Sequence, residues 1–208
     1  MSDAERDKIR KGSSKGMVLE NAQILIWDLK EEFNFGLELW RKDGWTPEIP
    51  KEEGDEQIKK LIDDTEIKTR SFIIKELKKI NGKLWWGKGI PESIKGYIKR
   101  TIDKDISKTP WKKQELLSYP EEKKLVFAST SHLKEIIIYG NNWPQFKKVF
   151  AKDKEVTSTA FKYFETIRNK YKHPERIKEL AEIERGLGYW NMRWIRRCIG
   201  LDSVEKKA

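Results

Sequence analysis

The fold class is decided by residues 155–172, which read EVTSTAFKYFETIRNKYK. The apolar positions follow one another in steps of four, four, three and four, at Val156, Ala160, Phe164, Ile167 and Tyr171. This spacing places them along one stripe of an amphipathic helix, because successive helical turns bring such positions to the same face. The stretch is therefore predicted to be a helix with one buried face.

Helical spacing recurs on both sides of this stretch. Further helices are predicted over residues 18–40, 91–106, 133–139 and 175–199, with one long or two short helices over 58–80. Glycine and proline residues separate these segments, as they do at turns. Strand signals are weak, since the apolar run at 125–127 is too short to decide. The chain is therefore predicted to be all-α, a helical bundle with short connections.

The same pattern divides the chain into four parts. Residues 1–16 have no apolar period and are predicted to be a flexible tail, followed by an N-terminal helical extension over 17–80. A second helical domain is predicted over 81–200, since Gly200 is well placed to end the last helix. Residues 201–208 form a C-terminal tail.

Positive charge is concentrated in the second part of the chain. The formal net charge of the whole chain is +10. Residues 1–80 carry 16 basic and 18 acidic side chains, whereas residues 81–208 carry 28 basic and 16 acidic ones. A basic region of this kind favours a polyanionic partner, of which nucleic acid is the first candidate. A well-solvated, lysine-rich surface is the alternative.

Composition argues against several classes of protein. Nine Trp residues argue against a wholly disordered chain, and Cys198 as the one cysteine excludes a disulfide scaffold. No run approaches 18 uncharged apolar residues, and the N-terminus lacks the apolar centre of a secretory signal, so no membrane association is expected. Two His and one Cys cannot form a Cys/His zinc site. We therefore expect a soluble, cytoplasmic protein with no metal site and no cofactor.

The residues best suited to catalysis lie at the end of the helix over 155–172. Arg168 and His173 are five positions apart, so on a regular helix their directions would differ by about 140°. Pro174 changes this, because the residue before a proline is driven out of the α region. The helix is therefore predicted to end at about Lys172, with His173 free to turn toward Arg168. A guanidinium group can hold a phosphate and an imidazole can transfer protons near neutral pH, so the pair is sufficient in principle for metal-free phosphodiester cleavage.

The same two residues also have a purely structural interpretation. Arg168 can be a solvated helix residue, paired with Glu165 three positions before it. His173 can cap the last carbonyl groups of the helix, where a histidine is favourable. An arginine and a histidine at this spacing often occur by chance, so spacing alone leaves both interpretations open.

The segment 167–173 resembles the R-x4-6-H motif of the HEPN superfamily (higher eukaryotes and prokaryotes nucleotide-binding domains). In that family a polar residue, often Asn, follows the arginine, and Asn169 fits this pattern. The similarity covers roughly residues 83–175 and points to the branch that is also found at the C-terminal end of a eukaryotic transcript-surveillance endoribonuclease. It is carried further by Trp85, Trp86, Gly89, Ile90, Pro91, residues 132–137, Asn142, Trp143, Phe146, Val149 and Phe150. Residues 1–80 lie outside the resemblance. This sequence also shows no counterpart of the acidic nuclease (PIN) domain that the eukaryotic protein carries.

The resemblance implies a HEPN-like bundle and a metal-independent endoribonuclease that acts as a homodimer, with two copies of the motif facing each other in one composite site. Arg168 would hold the scissile phosphate and stabilise its developing charge. His173 would act as general base or acid around the ribose 2′-OH, and Asn169 would orient one of them or bind the RNA. The products would be a 2′,3′-cyclic phosphate and a 5′-OH, which restricts cleavage to RNA. Prokaryotic relatives are often toxins or antiviral effectors, so an antitoxin or a defence-complex protein is a further expected partner.

Basic residues near the motif and a second histidine are further candidates for a functional role. Lys170, Lys172 and Arg176 flank it and are candidate contacts to RNA phosphates, although a solvated face explains them about as well. His132 follows a run of three hydroxyl side chains and is interpreted as structural, because helix caps favour polar residues.

Two tryptophans also have more than one interpretation. Trp85 and Trp86 can stack on bases, but packing in the core or at a dimer interface is favoured, because large aromatic side chains dominate such contacts.

Three functions remain open at this point. The first is the HEPN-type endoribonuclease. The second is a non-catalytic HEPN module, in which the basic half binds RNA and residues 17–80 bind a partner protein. The third is a helical adaptor that assembles a larger complex without binding nucleic acid.

Overall fold

The computed structural model describes residues 54–150, 153–179 and 182–202. All of them belong to one compact unit, which spans residues 49–208. The predicted tail over 1–16 and the predicted helix over 18–40 lie outside the described residues, as does the C-terminal tail from residue 203 onward.

The described part of the chain is an all-α bundle without a strand, as the sequence predicts. Its helices are α1 (Asp55–Asn81), α2 (Trp85–Gly89), α3 (Glu92–Lys108), α4 (Lys113–Leu117), α5 (Glu121–Lys124), α6 (Thr130–Ile138), α7 (Trp143–Phe146), α8 (Lys154–Lys172) and α9 (Glu182–Cys198). Short 3-10 turns join some of them, at Gly82–Leu84, Pro110–Lys112, Leu125–Phe127 and Pro174–Glu179. The apolar run at 125–127 is therefore one of these turns. No described helix is long and apolar enough to cross a membrane.

Helix α8 is the segment that decided the fold class, and it packs against α9 and α6. Asp153 caps its first turn, because its side chain accepts hydrogen bonds from the backbone N–H groups of Glu155 and Val156. The predicted stripe is buried from Ala160 to Tyr171, while Val156 at its start is only half-buried. Its neighbour Thr157 is buried instead.

Helix α1 packs on the later helices α2, α6 and α9. Its buried face is formed by Ile58, Ile62, Ile73 and Leu77, each no more than 1% exposed. Residues 55–80 of the predicted N-terminal extension therefore belong to α1, and α1 contributes to the same core as the helices that follow. It also carries side chains to the end of α8 that bears the motif.

Aromatic rings fill the centre of the bundle around Phe150. This fully buried ring lies 6.2 Å from Phe72, 5.9 Å from Phe161 and 6.0 Å from Trp194, measured between ring centroids. Edge-to-face and tilted pairs of this kind add to the stabilisation that burial gives. Through these ring contacts, the short segment that follows α7 packs against α1, α8 and α9.

The last helix differs from the prediction at its start. A continuous helix from residue 175 was expected, but the chain forms the 3-10 turn Pro174–Glu179, and α9 begins at Glu182. His173, with φ −125° and ψ 84° outside the helical region, separates this turn from α8. The apolar stripe that the sequence predicts for this helix consists of Ile177, Leu180, Ala181, Leu187, Trp190, Trp194 and Cys198. Of these, Leu180 and Ala181 lie outside the described residues.

The buried face of α9 is also broader than the predicted stripe. Leu187 and Trp194 are buried as expected, whereas Trp190 and Cys198 are only half-buried. Additional buried positions are Tyr189, Asn191, Met192 and Ile195. A helix packed against two other helices buries more than one stripe of its surface. The apolar periodicity of a single helix does not show how many helices pack against it.

Candidate functional site

The helix that carries the motif ends where the sequence predicts. Helix α8 ends at Lys172, and His173 follows with φ −125° and ψ 84°, outside the helical region. The backbone N–H of His173 still donates to the carbonyl oxygen of Lys170 at 3.1 Å. The backbone thus leaves the helix at His173, immediately before Pro174, as the sequence predicts.

Arg168 is held by two acceptors and remains partly open to solvent. Its Nη2 donates to Glu66 Oε1 at 3.2 Å, and its Nη1 donates to Asn169 Oδ1 at 3.0 Å. The side chain of Arg168 is 26% exposed. Glu165 was the expected partner on the same helix, but the carboxylate that binds Arg168 comes from α1, 102 positions away in sequence.

His173 is the most open of the three motif residues. Its side chain is 55% exposed, and its Nδ1 lies 3.6 Å from Glu175 Oε1. Across the described ranges, no hydrogen bond or ion pair joins His173 to Arg168. A single copy of the chain therefore places the two residues at one helix end without joining them by either interaction in the described ranges.

The structure places Asn169 at the exposed surface, with its amide oxygen on the guanidinium group of Arg168. This is the contact that an orienting residue makes. The roles predicted for Asn169, orienting a motif residue or binding the RNA, both stay predictions.

The three predicted RNA-binding residues differ in their surroundings. Lys172 pairs with Asp63 of α1, so part of its charge is already balanced. Arg176 is exposed on the turn after Pro174, and Lys170 is half-buried. A phosphate-binding role is therefore easier for Arg176 than for Lys172.

Sequence reasoning missed the cluster of polar side chains behind Arg168. Glu66 is 4% exposed, and its Oε1 accepts a second hydrogen bond, from Arg70 Nη2 at 2.8 Å. Arg70 Nη2 also donates to the carbonyl oxygen of Ala128 at 3.0 Å, and Thr130 Oγ1 lies 3.4 Å from Glu66 Oε1. Burial lowers the pKa of Arg70; Glu66 opposes this effect, and the charge of Arg168 adds to it.

A sequence signal for this cluster did exist. Glu66 stands four positions after Ile62 and seven before Ile73, so it occupies the apolar face of α1. Carboxylates are rarely buried unless they are paired. A charged residue on an apolar stripe therefore predicts a buried partner, although the stripe alone does not say which arginine provides it.

His132 and Trp85 have the structural roles that were favoured. Ser129 and His132 form a capping box at the start of α6, with each side chain bonded to the other's backbone. Trp85 is 3% exposed and packs edge-on to Trp86 at 5.6 Å between centroids. Among the described residues, no group of three or more His, Cys, Asp and Glu side chains could hold a metal ion.

Comparison with known proteins gives no relative. The chain matches no protein-family model, no curated protein and no solved structure. The function is therefore argued from the residues and from the geometry around Arg168.

Proposed function

We propose that this chain is a metal-independent endoribonuclease of HEPN type, with Arg168 and His173 as its catalytic residues. The observation that carries the proposal is that the Arg168 side chain is hydrogen-bonded in place and still partly exposed to solvent. Its guanidinium group is fixed by Glu66 and Asn169, yet 26% of the side chain stays exposed at the helix end where His173 turns away from the axis. A fixed, permanently charged group with an open side is suited to bind a phosphate.

The proposed reaction uses one group to bind charge and others to move protons. Arg168 binds the scissile phosphate and stabilises the charge that builds up on its oxygens. An imidazole of His173 takes the proton of the ribose 2′-OH, whose oxygen attacks the phosphorus. The 5′-oxygen leaves and takes up a proton, so that a 2′,3′-cyclic phosphate and a 5′-OH remain.

A homodimer supplies what one chain lacks for this reaction. The reaction needs a base for the 2′-OH and an acid for the leaving 5′-oxygen. One chain offers a single His173, and in the described residues no hydrogen bond or ion pair joins it to Arg168. Two copies related by a twofold axis bring two arginines and two histidines to one cleft, because a twofold interface repeats every residue.

The test is RNA cleavage by the purified full chain in the presence of EDTA. Wild type is compared with Arg168→Ala and His173→Ala, and the ends of the products are identified. Lys162→Ala is the matched control, since Lys162 is exposed on the same helix, away from the motif. We expect cyclic phosphate ends from wild type and the control, with at least a 100-fold loss in both motif variants. Undiminished cleavage by both variants would overturn the proposal.

A non-catalytic RNA-binding module is the second candidate. Among the described residues no hydrogen bond or ion pair joins Arg168 to His173, and this favours the second candidate, because binding a phosphate needs the arginine alone. RNA binding that weakens steeply with salt, without any cleavage products, would support this function. If the chain neither binds nor cleaves RNA and a protein partner co-purifies with it, these results would point to an adaptor.

The biological setting is proposed from the HEPN resemblance, because prokaryotic relatives of that family are often toxins or antiviral effectors. An endoribonuclease acting in the cytoplasm as a toxin or antiviral effector stops growth by cutting cellular RNA, and an antitoxin or defence-complex partner restrains it. Expression of wild type from an inducible promoter should then arrest growth, whereas His173→Ala at the same protein level should not. Normal growth with active wild-type protein would contradict the toxin setting while leaving the nuclease proposal intact.

A further inference from the structure

Two arginines share one carboxylate behind the motif. Arg70 Nη2 and Arg168 Nη2 both donate to Glu66 Oε1, at 2.8 and 3.2 Å, so these two nitrogens can be no more than 6.0 Å apart. The side chains of Arg70, Arg168 and Glu66 are 13%, 26% and 6% exposed. The group therefore holds two positive charges and one negative charge in a poorly hydrated position.

The donors of this group are not all used. The Nε atoms of Arg70 and of Arg168 are both buried and have no hydrogen-bond partner in the described part of the chain. A buried N–H group without an acceptor costs free energy, and an unbalanced charge costs more. An anion that reached the two guanidinium groups would balance the extra charge.

The neighbouring helix adds to the positive potential. Arg70 donates to the carbonyl oxygen of Ala128, and Thr130, the first residue of α6, lies against Glu66. The pair of arginines therefore lies beside the N-terminal end of α6, where the aligned peptide dipoles leave a partial positive charge. Arg168 belongs to this pair and to the motif at the same time.

We propose that Arg70 and Arg168 together bind one phosphate group of the RNA, and that Glu66 is the positioning residue that holds both guanidinium groups for it. The inference rests on the proposed function, because it places the second phosphate-binding residue in the same site. Arg70 thus becomes a residue of the site that the motif does not contain. It comes from α1, in the part of the chain outside the HEPN resemblance.

The test separates binding from cleavage. The probe is a 12-nucleotide single-stranded RNA with 2′-O-methyl groups, which cannot be cut because the attacking hydroxyl is blocked. Its dissociation constant is measured against salt for wild type, Arg70→Gln, Arg70→Lys and Arg168→Gln. Arg100→Gln is the matched control, since Arg100 is exposed on α3.

We expect Arg70→Gln and Arg168→Gln each to weaken binding about tenfold, and to lower the slope of log Kd against log salt by about 0.7, the value for one lost phosphate contact to a single strand. A double variant that carries both Arg70→Gln and Arg168→Gln should weaken binding by less than the product of the two single effects, because both side chains bind one phosphate. Arg70→Lys keeps the charge and the fold but loses the forked group, so it should show an intermediate loss. The control should bind like wild type.

Glu66 is tested through its effect on rate. On cleavable RNA, Glu66→Ala should lower kcat at least tenfold, and Glu66→Gln should recover part of the loss, because its amide oxygen still accepts from both arginines. Thermal unfolding of each variant shows whether it remains folded under the assay conditions. Equal loss in Glu66→Gln and Glu66→Ala would contradict the positioning role.

The outcomes keep the two proposals apart. Wild-type binding by Arg70→Gln and Arg70→Lys, together with a loss in Arg168→Gln, would overturn the paired site and leave the nuclease standing. Loss of binding in Arg70→Gln and Arg70→Lys, with no cleavage of natural RNA by wild type, would support the pair and overturn the nuclease. If Arg70→Gln unfolds, Arg70→Lys decides: an affinity equal to that of wild type would overturn the pair.

Discussion

Gly188 on α9 and Ile167 on α8 lie in direct contact across the interface between the two helices. A Cβ added at Gly188 would lie 2.5 Å from the Cβ of Ile167 and 3.0 Å from the backbone oxygen of Tyr163. Neither a Cβ nor a backbone oxygen can move without moving the helix. The close approach of α8 to α9, next to the motif residue Arg168, therefore depends on the absence of a side chain at position 188.

Gly188→Ala should destabilise the protein by about 1–3 kcal/mol, because an added methyl group forces the two helices apart. Denaturant unfolding followed by circular dichroism measures the change. Gly140→Ala is the matched control, since a Cβ there meets nothing within 4 Å, and its free energy of unfolding should stay close to that of wild type. A stable Gly188→Ala variant would show that the helices are not in such close contact.

Phe150→Ala should cost about 3–5 kcal/mol of stability, as is typical for a fully buried ring. The ring of Phe150 contacts those of Phe72, Phe161 and Trp194, so its removal leaves a cavity that several elements would have to fill. Chemical denaturation gives the free energy of unfolding. Trp111→Ala provides the contrast, because Trp111 is 77% exposed and its loss should change that free energy by no more than about 0.5 kcal/mol.

How far sequence reasoning reached depends on how local each interaction is. The end of α8 at Lys172 followed from Pro174, and the structural role of His132 at the start of α6 followed from the hydroxyl side chains before it, because both are set by neighbours in sequence. The bond between Arg168 and Glu66 was missed, since residues on two distant helices meet through packing that periodicity does not specify. The late start of α9 was missed for a similar reason: the helical pattern continues through residues where the backbone forms a 3-10 turn.

His132 should make stability depend on pH in the acid range. Burial lowers the pKa of His132, while the carboxylates of Glu135 on its own helix and Glu165 on α8 act in the opposite direction. The ring also lies 4.1 Å from Tyr97 of α3, between centroids, and its Nδ1 accepts from the backbone N–H of Ser129. A protonated Nδ1 cannot accept that bond, so the folded state favours the neutral ring.

The sign of this effect follows from linkage. A histidine whose pKa is lowered by folding contributes stability above its unfolded pKa of about 6.5, and this stability is lost as the pH falls through the folded value. His132→Gln should reduce the loss of stability below about pH 6.5, because glutamine can complete the capping box but does not titrate there. Unfolding curves from pH 4.5 to 8 for both proteins measure the difference. Parallel pH profiles would show that His132 does not titrate with folding.

Tyr171 should have the corresponding effect in the alkaline range. Burial and the hydrogen bond from its hydroxyl to Asp55 raise the pKa of Tyr171 to about 12, while Arg185 acts in the opposite direction. A raised folded pKa gives stability that is complete below the unfolded value of about 10 and is lost between about pH 10 and 12. Tyr171→Phe should therefore be less stable near neutral pH but lose less stability above pH 10. Unfolding at pH 8, 10 and 11 gives the comparison, and an equal loss in both proteins would contradict the shift.

Mixing wild type with His173→Ala should show whether two chains form one site. The two proteins are unfolded together at equal amounts, refolded, and assayed for RNA cleavage at a fixed total concentration. If each cleft needs both copies of His173, random pairing leaves only about a quarter of the dimers active, because the mixed dimers lack one histidine. Independent sites would instead leave about half of the wild-type activity. Size-exclusion chromatography of the mixture checks that dimers have formed, and a result near one half would limit the catalytic unit to a single chain.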